Sequence, residues 1–75
     1  MFLSELKPTQ KAHVTSLSGD DSICRRLLDI GLTKDAKVEC IGKSPCGDPK
    51  AYLIRGAVIA IRKDDAKKVH IRGFD

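Results

Sequence analysis

Residues 51–55 and 57–62 are two alternating, apolar-rich stretches separated by a single residue, Gly56. A connection that short admits only a tight hairpin turn or a bulged corner between paired strands. The chain is therefore committed to antiparallel sheet, and its 75 residues leave room for one domain, spanning 1–75. The longest uninterrupted apolar run is Ala57–Ile61. A membrane-spanning helix needs about 20 such residues, so no bilayer span is expected. Residues 1–10 lack a basic stretch followed by an apolar one, which predicts no secretory signal and a cytoplasmic location. Three cysteines, an odd number, fit reduced thiols better than a disulfide framework.

The remaining elements are short. Lys11–Leu17 alternates Ala12 and Val14 with His13 and Thr15, a half-buried strand by its period. Gly19, Asp20, Asp21 and Ser22 supply turn and capping chemistry for a helix. In that helix Ile23, Leu27 and Ile30 form one apolar stripe, with Arg25, Arg26 and Asp29 elsewhere. Gly31 closes it, and Leu32 folds back on the stripe. Residues 36–41 read as a second strand, 42–49 as an exposed loop dense in breakers, 63–67 as one helical turn and 69–72 as a last strand. Five short strands, one helix and a helical turn predict a mainly β protein: a small, strongly bent antiparallel barrel, SH3-like or OB-like, whose closure removes most free edges.

At 41% hydrophobic and 32% charged the chain is globular, but its core is thin. Below about 80 residues a single core rarely supplies more than a few kcal/mol, so a metal, weak self-association or a docking partner would add to it. The formal charge of +4 is unevenly placed: charges cancel over residues 1–49, and the surplus lies in Lys50, Arg55, Arg62, Lys63, Lys67, Lys68 and Arg72. Such a basic end attracts nucleic acid, acidic protein or an anionic surface.

Arg26-Leu27-Leu28-Asp29-Ile30-Gly31-Leu32, Gly47-Asp48-Pro49, Arg55-Gly56 and Ile61-Arg62-Lys63-Asp64-Asp65-Ala66, with the lead-in Leu3-Ser4-Glu5-Leu6-Lys7-Pro8, stand in an order and spacing that closely resemble the FeoA family. The resemblance covers residues 3–71. It implies an SH3-like barrel with a helical insertion, also similar to the C-terminal domain of iron-dependent repressors, whose helix-turn-helix and metal domains have no counterpart here. It implies, too, a small cytoplasmic non-enzyme that works with FeoB, a membrane Fe(II) transporter carrying a GTPase domain. By this resemblance Tyr52, Ile54, Ile59 and Ile61 face inward, leaving Leu53 and Val58 outside. Two positions depart from the family pattern. Asp35 stands where glycine is common, and can still adopt the left-handed conformation. Cys46 replaces a larger apolar residue before Gly-Asp-Pro, altering any contact made there.

Chemistry is sparse. Fifteen residues separate Cys24 from Cys40 and five separate Cys40 from Cys46, with no Cys-x-x-Cys and no His at helical spacing from a carboxylate. Cys40 and Cys24 read as small packing residues. No metal ligand set, cofactor or catalytic residue is expected: neither His has an oriented nucleophile, and Gly42-Lys43-Ser44 lacks the context of a phosphate loop. Nucleic-acid binding in a small barrel needs stacking aromatics, and only Phe2, Tyr52 and Phe74 exist. A protein surface remains. Leu53 and Val58 near Arg55, with the loop of Cys46, Gly47, Asp48 and Pro49 beside them, make an apolar spot with a basic margin, and Arg25 and Arg26 are further contact candidates. The expected function is thus an accessory protein docking on FeoB. Its alternatives are a Cys/His carrier or sensor of iron or zinc and a basic nucleic-acid-binding barrel.

Overall fold

The computed structural model describes residues 1–74; Asp75, and the side chain of Phe74 counted above among the aromatics, lie outside the described residues. A 3₁₀ turn, Leu3–Glu5, precedes strand β1 (Lys11–Leu17), helix α1 (Asp21–Asp29), strands β2 (Lys37–Lys43), β3 (Lys50–Ile54) and β4 (Ala57–Ile61), the short helix α2 (Lys63–Ala66) and strand β5 (Val69–Phe74). The protein is mainly β, as expected. All strand pairs are antiparallel in one sheet of order β4-β3-β2-β1-β5.

The hairpin turn contains two residues, not one. Ile54 pairs with Ala57, and Arg55 (φ +52°) and Gly56 (φ +85°) form the connection. Two-residue hairpins whose twist suits the flanking strands need positive φ at both positions, so Arg55 leaves the strand to which its alternation assigns it. Strand β2 also runs past its expected end at residue 41. A register shift between Cys40 and Gly42 lets Ile41 bulge, after which Gly42 pairs with Ala51 and Lys43 with Lys50. Among the described residues no ladder joins β4 to β5, contrary to the expected closure: these strands end the sheet, and beyond β5 lie a bridge from Phe2 to His70 and the Ile71 N–H donating to the Met1 carbonyl at 2.9 Å.

Helix α1 begins and ends as its residues dictate. The Asp20 carboxylate accepts from the Ile23 N–H at 2.9 Å. At the other end Gly31 takes φ +106°, its N–H donates to the Leu28 carbonyl and the Leu32 N–H to that of Leu27, at 3.0 and 3.1 Å. This paired closure fits only a residue tolerant of positive φ. Asp35 takes φ +68°, so the left-handed turn is kept without glycine.

Nine of the fourteen buried core residues come from the strands: Ala12, Val14, Val38, Cys40, Tyr52, Ile54, Ile61, Val69 and Ile71. The sheet thus supplies most of the core, and the other elements cover it. Leu3, Leu6, Leu27, Leu32 and Ala66 fill the remainder, and Ile59, expected inside, is only partly buried against them.

Candidate docking surface

Register places one outward row across four strands: Lys11 opposes Glu39, Glu39 opposes Leu53, and Leu53 opposes Val58. Val58 is 63% exposed and Leu53 half-buried. Ala60 and Ile41, both exposed, and half-buried Ala51 continue the apolar character along the hairpin and the β2 bulge. Arg55 stands at the turn that ends this surface, its stem laid over Gly31 at the close of α1. Leu53, Arg55 and Val58 are therefore brought together.

The loop at 44–49 is not beside them. It joins the far end of β3, about 13 Å away at 3.3 Å per residue, because Lys50 and Ile54 are opposite ends of that strand. Its residues serve the fold. The Asp48 carboxylate accepts from the Lys63 N–H at 2.8 Å at the start of α2, and Ser44 donates to the Asp48 carbonyl at 2.9 Å. Gly47 takes φ +86°, while Cys46 and Pro49 are exposed. Arg25 and Arg26 lie on the exposed side of α1, where Arg26 pairs with Asp65 at 3.0 Å. A pair this open to solvent contributes little stability. The nine candidate residues thus occupy three separate places.

Lys50 belongs to the basic surplus of the C-terminal third, yet its ammonium is turned inward. It donates to the Ser4 and Leu6 carbonyls at 2.8 and 3.0 Å, tying the lead-in to β3. A small cleft of about 140 Å³ beside it is bounded by Asp48, Tyr52 and Lys63. Two of its charged groups are already engaged, Lys50 with those carbonyls and Asp48 with the backbone of α2.

The thiols are dispersed. Cys46 is exposed, Cys24 half-buried with its Sγ near the Ser18 and Gly19 carbonyls, and Cys40 fully buried. Among the described residues no three His, Cys, Asp or Glu side chains are grouped to hold a metal ion. Burial pushes the Cys40 thiol up, outweighing the nearby Lys50 ammonium. Because the thiolate is the reactive form, a maleimide should label Cys46 in the native protein and Cys40 only after denaturant is added, as read by peptide mass spectrometry. Equal labelling rates at the two sites would contradict this placement.

A protein-family model, the FeoA domain, matches residues 1–73. The chain belongs to the FeoA family. This FeoA chain is 33% identical to the FeoA protein of Chlorobium tepidum, covering 100% of its own length and 71% of that chain at a TM-score of 0.91. It is also 33% identical to the FeoA of Stenotrophomonas maltophilia, a prokaryotic SH3 domain protein solved with zinc, covering 96% of this chain and 89% of that one at a TM-score of 0.83. The expected SH3-like class therefore holds. A manganese-dependent transcriptional repressor shares the fold alone, at 15% identity and a TM-score of 0.88. A fusion of Fe(2+) transport protein A with the Fe(2+) transporter FeoB in Porphyromonas gingivalis is 27% identical over 71 residues, 95% of this FeoA chain but 8% of the fusion. These relatives link the family to ferrous iron transport. Among the described residues no helix is long and apolar enough to cross a membrane.

Proposed function

We propose that this chain is a cytoplasmic accessory protein of ferrous iron uptake, which docks on the cytosolic part of a FeoB-type Fe(II) transporter, modulates it and performs no chemistry of its own. The observation that carries this reading is the fusion relative, in which a homologous domain and the transporter share one polypeptide. Such a fusion holds the two at high effective concentration, which favours a contact even of modest affinity. The contact is assigned to Leu53, Arg55 and Val58, where an exposed apolar row meets a basic margin. Cys46, Gly47, Asp48 and Pro49 and the arginines of α1 lie outside it.

Leu53→Glu should lower co-purification with the transporter's cytosolic domain at least about tenfold, since the carboxylate would have to be desolvated in the contact. Circular dichroism should report an unchanged fold. Val58→Glu, at a more exposed position, gives the same expected loss with less risk to folding. Undiminished binding in both variants would remove this face from the reading.

A further inference from the structure

Resting on that docking reading, we infer that the partner reaches this protein with an acidic segment carrying an apolar side chain, seated in a groove on the outer side of β1, β2 and β3. The groove has a volume of about 400 Å³ and runs between Lys11, Lys37 and Arg55, with Glu39 and Leu53 among its lining residues. Three cations thus surround one carboxylate. Glu39 stands directly across from Lys11 in the ladder, an arrangement that favours opposite charges. Lys37 and Arg55 have no such opposite, and neither makes an ion pair among the described residues, where the pair present is Arg26 with Asp65. The groove is left electropositive, and an acidic partner would be steered to it.

The other polyanions fit less well. Nucleic acid held by a small barrel stacks its bases on aromatic rings, but of the described rings Tyr52 is fully buried and Phe2 lies against His70, its ring 4.6 Å away on the β5 side. The Glu39 carboxylate repels a continuous phosphate backbone, whereas a polypeptide can set its acidic residues toward Lys37 and Arg55 and pass Glu39 with a neutral one. Leu53 asks for an apolar side chain, which a free inorganic anion lacks. An acidic peptide with a leucine-like anchor satisfies all of these groups together.

The test uses the isotope-labelled full chain, followed by amide NMR, against four probes: a short peptide alternating glutamate with leucine, the same peptide with serine for glutamate, a thymidine oligonucleotide, and vesicles of phosphatidylserine and phosphatidylcholine. The transporter's cytosolic domain is measured in parallel. The glutamate peptide should shift the amides of Glu39, Leu53 and Gly56, and its affinity should fall steeply with salt and about tenfold in Lys37→Glu. Lys11→Gln should weaken it less, and Lys67→Glu, on another surface, not at all. The inference is overturned if the glutamate peptide leaves those amides unmoved, if the serine peptide binds equally, or if the oligonucleotide or vesicles displace it. A transporter domain that binds while the peptide is inert sinks the groove and leaves docking standing. The reverse result sinks docking on this transporter and keeps the acidic-segment site.

Discussion

The Tyr52→Ala protein is expected to be largely unfolded at room temperature. Tyr52 is fully buried, heads the largest side chains of the core, and lies between Cys40 on β2 and Ile59 on β4. Truncating a buried aromatic costs about 3–5 kcal/mol. A single core in a chain this short seldom supplies more than about that amount. Tyr52→Phe separates the ring from its hydroxyl, which donates to the Leu3 carbonyl at 3.3 Å, and should lose only about 1 kcal/mol. The hydroxyl also makes the wild type sensitive to alkali. Burial, then the Cys40 and Asp48 charges, push the Tyr52 phenol from 10.0 up to about 12. Above pH 10 the unfolded chain gives up this proton while the folded chain keeps it, so the folded state binds more protons and stability falls as pH rises from about 10 to 12. Two pKa units correspond to about 2–3 kcal/mol. Denaturant melts across that range should show the decline in wild type and a shallower one in Tyr52→Phe; parallel curves would refute the assignment to this phenol.

Gly31→Val should be the next most damaging single change. At φ +106° any side chain strains the backbone, by about 1–3 kcal/mol. A Cβ built there also lies 3.1 Å from both Ile54 Cγ2 and Arg55 Cδ. The arginine stem can swing aside, but Ile54 is buried and held by the core, so overpacking adds about 1–3 kcal/mol. Gly47→Ala isolates the backbone part, because at φ +86° its Cβ would meet nothing within 4 Å. Thermal melts should therefore rank the losses as Gly31→Val, then Gly31→Ala, then Gly47→Ala. A Gly47→Ala loss equal to that of Gly31→Val would mean that contact with Ile54 contributes nothing.

Local chemistry was legible where one residue type decides one conformation. The cap within Gly19–Ser22, the Gly31 stop, the stripe of Ile23, Leu27 and Ile30, and the inward Ala12 and Val14 of β1 stand where their residues predict, while a bulge after Val14 breaks the alternation beyond it. What escaped depends on pairing across the sheet. Gly42 and Lys43 look like loop by composition, and only the bulge at Ile41 and their partners on β3 hold them in a strand. Arg55 carries no signal for positive φ; the geometry of a two-residue turn forces it. The same blindness affected the site. Alternation marks Lys11 and Lys37 as outward, but which outward residues become neighbours follows from register, which the sequence alone does not report. Nothing near Lys50 in the sequence signals its inward turn, because its carbonyl partners, Ser4 and Leu6, lie more than forty residues earlier.

Among the described residues strand β4 borders the sheet with no strand beyond it, and Ala57–Ile61 carries neither charge nor proline to discourage one. Such an unguarded hem invites stray strands to knit on, so crowded, uncomplexed molecules are the pool from which aggregates would seed. A partner seated on the proposed row at Val58 and extending along β4 would shield this border as well. On that proposal solubility and engagement would become a single property of the protein, and stocks prepared without a partner should keep best when dilute.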